Sequence, residues 1–592
     1  MIQTLRIGAF VATISLSLSA HAQDSYSGTD GGLTASGNQI VDQNGNNVRL
    51  TGVNWSGFET PIGIVSGLYQ ASSTTFSPDF RDYLEKIKTL GFNCVRLPWS
   101  YANMNCSEPA AQDEGCNSNG FCTTTDCYDF SVCPECADKS YIQGADDQKN
   151  LMTSSQFVTE QLNAPLFRQV SPGVFKAKTP LECMDEVIKY AGSIGLKVIL
   201  DNHCIKSGAF ASQPLWYTND VTQQQWIDEW VFLADRYADD TYDPHHAVIA
   251  CDLFNEPKMD PRTAGGSAWT TAPGAQAWNH AAEACGKAIL AVNPRLLIMV
   301  EGTQWANATA VFPTGSGSAN GNTFTNWGAN LTGAAAAPIV LGSSALGVSY
   351  QNKLVYSIHD YPGTAQTLSG QNVLPWFSSS VSNYPYNLAG QAWRPFWGYL
   401  VENNTAPMFV GEFGSWLRNP TVADAEGKVC GYSALSPTQV TSDKLWVNAL
   451  LHYMQGDWNL AQTINELPDS QAISVTVGGD AAKKGISFCW FGFTPNSADT
   501  GGVLDCDYSS TDVEKMKYLK YYLSPTMLPS YETALASDMN GDGFVRGEDM
   551  VIFLALWRVD TGGSHFSRGD FNHDGVRDGA DFVMLLGRWR SE

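Results

Sequence analysis

Seven polar residues have the types and the setting to do chemistry. They are Arg96 in VRLPWS, His203 in ILDNH, Asn255 and Glu256 in DLFNEP, His359 and Tyr361 in YSIHDY, and Glu412 in FVGEFG. Each falls late in an apolar, β-branched run that reads as a strand. His359 and Tyr361 are two apart, so on a strand they share a face. Two carboxylates facing across a pocket suit cleavage of a glycosidic bond. One must carry a proton for the leaving oxygen, and the other must be ionised to attack the anomeric carbon. Arg96 and Tyr361 would stabilise an ionised Glu412 by charge and hydrogen bonding. Glu256 would share the pocket with that charge, be pushed up in pKa, and serve as the acid.

Positioning these groups takes a scaffold that brings strand ends together. Strand candidates are 48–55, 93–100, 197–203, 248–256, 295–302, 354–361, 406–414 and 487–493. Amphipathic helical stretches at 80–90, 181–195, 223–237, 277–292, 442–454 and 511–522 lie between or after them. This alternation predicts an α/β fold, a (β/α)8 TIM barrel of parallel strands ringed by helices. The minimal barrel needs ~250 residues. The surplus here follows the strands, at 101–180, 257–274, 303–352 and 415–439, and should enlarge the face where barrels do chemistry.

With these motifs placed, the chain resembles glycoside hydrolase family 5, closest to its secreted bacterial endoglucanases. The resemblance rests on LTGVNWSGFET, VRLPWS, ILDNH, FNEP, YSIHDY, VGEFG and SADTGG and runs from about residue 33 to 523. It implies a retaining endo-β-1,4-glucanase with Glu256 as acid/base and Glu412 as nucleophile. It implies that Asn255 holds the sugar 2-hydroxyl, and that Arg96, His203, His359 and Tyr361 frame the −1 subsite. Tyr69 and Trp327 then look like glycone-side stacking positions. For the sugar platform of the eighth strand, an ungapped count back from Pro495 gives Phe491. A one-residue shift gives Trp490, which its wide indole favours. β-Mannanases and other β-glycanases share this constellation, and a glycan-binding protein with an inactive barrel is a further alternative. The chemistry calls for no cofactor.

The last 55 residues repeat themselves. DMNGDGFVRGEDMVIFLALWR, from Asp538, matches DFNHDGVRDGADFVMLLGRWR, from Asp570. Each copy fits a calcium loop, D-x-[DN]-x-[DN]-G. The first offers Asp538, Asn540, Asp542, the Phe544 carbonyl and Asp549. The second offers Asp570, Asn572, Asp574, the Val576 carbonyl, Asp578 and Asp581. Two Ca²⁺ ions are expected. A loop–helix repeat with Asp at position 12 resembles a dockerin type I module, which implies a cohesin domain of a scaffold protein as partner. Gly547-Glu548 and Gly579-Ala580 stand where many dockerins carry Ser-Thr-like recognition pairs.

Composition bounds the rest. The chain has 592 residues, with 35 Lys+Arg against 59 Asp+Glu for a net charge of −24, which argues against nucleic acid or an anionic membrane as partner. Residues 1–22 read as a signal peptide: Arg6, an apolar stretch, then Ala20-His21-Ala22 as cleavage site. The expected domains are 1–22 signal peptide, 23–523 catalytic barrel, 524–536 linker and 537–592 calcium module. The protein should be secreted and extracellular. Fourteen cysteines fit an oxidising compartment. Six of them, Cys106, Cys116, Cys122, Cys127, Cys133 and Cys136, crowd a polar insertion that disulfides would staple. The 18 Trp and 23 Tyr pack a core and supply some sugar-stacking surfaces.

Overall fold

The computed structural model describes residues 32–524, apart from 69–78, 107–150, 154–164, 307–317, 461–484 and several stretches of five residues or fewer, together with Leu554. The signal-peptide segment, most of the cysteine-rich insertion, Tyr69 and every expected calcium ligand lie outside the described residues.

Eight parallel strands close into a barrel in sequence order. They are β1 (Thr51–Asn54), β2 (Cys94–Ser100), β3 (Lys197–Cys204), β4 (Val248–Asp252), β5 (Leu297–Glu301), β6 (Leu354–Asp360), β7 (Met408–Phe413) and β8 (Ser487–Trp490). All eight coincide with the runs read from the sequence. Helices at Phe80–Thr89, Pro180–Ser193, Gln223–Arg236, Trp278–Val292, Pro437–Met454 and Val513–Leu519 match the expected ones. The helices at Pro180, Gln223 and Pro437 open with reciprocal capping boxes on Thr179, Thr222 and Ser436, which satisfy backbone donors that have no partner within the helix.

Short helices at Tyr101–Met104 and Gly363–Leu368 and one longer stretch were not expected. Residues Ala389–Gly398 form a wide, π-type helix that runs into Tyr399–Glu402. Pro395 and flanking glycines argue locally against helix. Packing wins: Trp393, Phe396 and Trp397 are buried, and Trp393 and Trp397 both contact Tyr453.

The barrel interior is layered. Strand residues alternate between the inside and the helix-facing side. The lower interior layer is apolar: Leu50, Cys94, Ile199, Ala250, Leu297, Met299, Val355, Phe409 and Cys489. A small antiparallel sheet of Thr34–Ser36, Gln39–Val41 and Asn47–Val48 brings Leu33 and Ile40 into this layer and plugs the floor. Gly52 fits where β1 crosses this layer, since a Cβ there would sit under 3 Å from the sulfurs of both Cys94 and Cys489. The next positions up the same inward faces are polar: Asn54, Arg96, Asp201, Asp252, Glu301 and His359. All are fully or almost fully buried. Among the described residues, thirteen Trp are buried, so the aromatic surplus there is mainly core between strands and helices.

Above the strand ends, Cys430–Cys506 joins the loop after β7 to the loop after β8 across 76 residues. A closure of that span stabilises by about 4 kcal/mol in the chain-entropy account. Arg418 bonds Asp505 and Asp512 beside it. Cys94, Cys183, Cys204, Cys251, Cys285 and Cys489 are buried thiols in the core. Among the described residues, no helix is long and apolar enough to cross a membrane.

Candidate active site

Arg96 organises the site. Its fully buried guanidinium lies at the centre of the polar layer. Nε donates to Asp252 at 3.0 Å. Nη1 donates to Asn54 at 3.0 Å and to Glu412 Oε1 at 2.8 Å. Nη2 reaches Asn255 Oδ1 and Glu301 Oε1, each at 3.2 Å, and Asp201 Oδ1 at 3.1 Å. The planar fork with five donors suits several acceptors at once, which a point-charge ammonium could not match.

Glu412 owes its inward aim to a bulge. In β7, Phe409 faces in and Val410 faces out, so simple alternation would turn Glu412 outward. The pairing with β6 shifts between Ile358↔Val410 and His359↔Glu412. The extra residue is Gly411, and it re-aims the carboxylate into the pocket. Both oxygens of Glu412 then meet fixed donors, Arg96 on Oε1 and the Tyr361 hydroxyl on Oε2 at 2.8 Å.

Glu256 lies in the turn after β4 with φ 48, a left-handed conformation that is strained for a residue with a Cβ. One of its carboxylate oxygens lies within 4.8 Å of one from Glu412. His359 stands between the two, with Nδ1 3.0 Å from Glu256 Oε1 and 3.4 Å from Glu412 Oε2. Lys258 approaches the other side, with Nζ 3.7 Å from Glu256 Oε2.

The expectation that the pocket pushes Glu256 up is overturned. Burial does raise its pKa, but the hydrogen bond from His359 and the charges of Lys258, His359 and His203 outweigh it and hold the carboxyl at about 2. His359 is pushed the other way, toward its protonated form. Burial opposes the charged ring, yet Glu301, Glu412 and Glu256 hold its pKa well above the usual range. The sequence reading weighed the neighbouring carboxylate and overlooked the cations.

His203 donates toward Asp201, with Nδ1 and Oδ2 2.6 Å apart, and lies 4.0 Å from Glu412. Its pKa is raised: burial works against the imidazolium, and the Asp201 charge and hydrogen bond win. Asn255 accepts from Arg96 through Oδ1, which leaves its amide nitrogen as the donor end of the side chain. The structure thus brings together Arg96, His203, Asn255, Glu256, His359, Tyr361 and Glu412.

Trp490 does not join them. It faces the helical layer, fully buried edge-on to Phe413 at 5.0 Å. The reason is parity. Cys489 points into the barrel, so Trp490, the next residue of the strand, points out. Phe491, the residue that the ungapped count gives, is half-buried. Trp327 is half-buried, with the Lys258 ammonium 4.1 Å above its ring. This places it on the Glu256 side of the carboxylate pair.

The sequence reading missed Asp201, Asp252, Glu301, Asn54 and Lys258. A signal existed for Asp201, two residues before His203 and hence on its face of β3. Glu301 ends β5 as the one charge in LIMVEG.

A parallel barrel carrying two convergent glutamates at its strand ends has the scaffold and carboxylate pair of a glycoside hydrolase. The sequence model of the family described as Cellulase (glycosyl hydrolase family 5) matches residues 136–448, more than half of the chain, and the protein belongs to that family. An endoglucanase of Paenibacillus polymyxa is 29% identical over 504 residues, covering 85% of this chain and 89% of the relative. The major extracellular endoglucanase of Xanthomonas campestris is 27% identical, covering 81% and 69%. The endocellulase of Pyrococcus horikoshii, solved also with cellotetraose, superposes with a TM-score of 0.55 at 26% identity, covering 84% of this chain and all of that one.

Proposed function

We propose that the protein is a secreted, retaining endo-β-1,4-glucanase acting by double displacement. The observation that carries this is the short reach between Glu256 and Glu412, with oxygens within 4.8 Å. Retaining enzymes hold their carboxyl groups roughly 5–5.5 Å apart, whereas inverting ones leave room for water at about 6.5–9.5 Å. The endoglucanase and endocellulase relatives support a β-1,4-glucan as substrate, and the extracellular one supports export.

In this mechanism Glu412 attacks the anomeric carbon while Glu256 protonates the departing sugar. Glu256 then draws a proton from water, which hydrolyses the glycosyl–enzyme ester. His359 holds the proton in the free enzyme. As Glu412 bonds to the sugar it loses its charge, which removes one of the charges that kept the proton on the ring. Proton release toward Glu256 is thereby coupled to bond formation. Asn255 holds the 2-hydroxyl, and Arg96, His203 and Tyr361 fix the surroundings of the −1 sugar. The two carboxylates supply acid, base and nucleophile, so no cofactor takes part. Half-buried Phe491, just past the end of β8, is the better candidate for the sugar platform than fully buried Trp490. Trp327, beside Glu256, fits the leaving-group side better than the glycone side. Tyr69 is retained as a glycone-side position.

Wild-type protein should release reducing ends faster from carboxymethyl cellulose than from mannan or xyloglucan. Solution viscosity should drop early, as internal cleavage requires. Preference for mannan would make it a mannanase. No release from any β-glycan would favour a binding protein.

The segment 537–592 is read as a dockerin-like module holding two Ca²⁺, supported by its two loop repeats. Full-length protein should bind immobilised cohesin domains in calcium and lose them in chelator. Glucan hydrolysis should survive chelation. No binding in calcium would leave the tail as a calcium-stabilised appendage without that partner.

A further inference from the structure

We propose that Glu301 is a positioning residue for the reaction: it pins the backbone of Glu256 and keeps the proton on His359. The inference rests on the double displacement proposed above. Glu301 is the last residue of β5 and has no exposed surface, so it cannot touch substrate and must act through others.

Its two oxygens are divided between two tasks. Oε2 accepts the backbone N–H of Glu256 at 2.7 Å. That peptide carries the left-handed φ of 48, a conformation that costs on the order of 1–3 kcal/mol and persists only when its surroundings enforce it. An acceptor fixed on a neighbouring strand is such an enforcement. Oε1 lies 3.2 Å from His359 Nε2 and 3.2 Å from Arg96 Nη2. The carboxylate charge therefore lies against one edge of the imidazole while Nδ1 faces Glu256 and Glu412.

The surroundings are built around this carboxylate. The Trp278 indole donates to the Glu301 carbonyl at 2.7 Å and fixes the strand end. Gly328 passes so close, at φ +71, that a Cβ there would collide with Oε2. Gly411 packs on the same imidazole, where a Cβ would come within 3.1 Å of Nε2. The charged groups facing His359 are Glu256 and Asp252 from β4 and its turn, Glu301 from β5 and Glu412 from β7, with Arg96 behind Glu301. Of the carboxylates close to the ring, Glu301 alone contacts Nε2. Removing its charge should let the proton leave His359 at lower pH.

The test compares wild type with Glu301→Gln and Glu301→Asp, all checked for folding by circular dichroism. Competent sites are counted with a 2-deoxy-2-fluoro glycoside that traps the covalent ester. Glu301→Gln should lower kcat per competent site tenfold or more, with KM within threefold. The alkaline limb of kcat/KM should move to lower pH, and Glu301→Asp should restore part of the rate. Titration of His359 by ¹⁵N-histidine NMR should show a lowered midpoint in Glu301→Gln. That readout needs no turnover, so it tests the positioning role even if the wild type proves inactive on glucans. A wild-type midpoint together with a wild-type kcat per competent site would overturn the proposal. Losses confined to the fraction of folded protein would overturn it too.

Discussion

Glu412→Gly should lose roughly 10⁴-fold or more in kcat on cellulose derivatives, about 5 kcal/mol of barrier. Nothing else in the pocket can take its place. Arg96 and Tyr361 are donors, and Glu256 belongs to the other end of the bond being broken. Azide distinguishes the two glutamates. In Glu412→Gly, azide can enter the vacated space and displace a dinitrophenyl leaving group from a β-cellobioside once, with inversion, giving the α-azide. In Glu256→Ala, the first step survives with this leaving group, because it departs without a proton. The ester then accumulates, and azide opens it from the other face, giving the β-azide. Glu256→Ala should therefore keep much of its rate on the dinitrophenyl glycoside and lose it on cellulose derivatives, whose leaving sugars need protonation. Measuring the anomer of the azide product is decisive. The reverse pattern of anomers would exchange the two roles. Normal turnover of carboxymethyl cellulose by Glu412→Gly would sink the mechanism.

The residues on which this rests were readable because they lie on regular elements. Alternation with period two predicts which side chains of β2, β3 and β6 face inward, and the apolar runs place those strands correctly. Where regularity breaks, so does the reading. Glu412 faces the pocket only because Gly411 bulges, a tertiary feature that its own strand does not announce. The preference for Trp490 over Phe491 weighed ring size above parity, and β8 obeys parity. The protonation of Glu256 was misjudged for a similar reason. Its acidity is set by His359, which comes from β6, and by Lys258, two residues further along the same turn, so the local sequence carried only part of the cause. Asp201, Asp252 and Glu301 escaped notice because a charge within an apolar strand reads as a local exception. Only the closed barrel reveals them as one ring around a single cation. The helix at Ala389–Gly398 breaks local rules that buried aromatic packing overrides.

That ring makes Arg96 the residue whose loss should damage the fold most. Arg96→Ala would leave Asp201, Asp252, Glu301 and Glu412 facing one another in a closed barrel without the guanidinium that contacts all four. Stranding buried charge in this way costs about 3–5 kcal/mol, a large share of the ~5–15 kcal/mol that holds a domain together. The carboxyls can escape part of the penalty by taking up protons. Asp252 already leans that way, since burial raises its pKa well above the usual range even against the pull of Arg96. In the variant more of them should follow, so the folded state would bind more protons than the unfolded chain. Stability then falls as pH rises. The difference from wild type should accordingly be smaller near pH 4.5 than near pH 7.5, as read by urea denaturation at both. Arg96→Lys should fold with a smaller loss, about 1–3 kcal/mol, because it keeps the charge. It should still turn over slowly, because three ammonium donors cannot serve Asn54, Asn255 and Glu412 while also bracing Asp252 and Glu301. Equal destabilisation of Arg96→Ala at the two pH values, or a loss under about 1 kcal/mol, would show that the carboxylate ring does not depend on this cation.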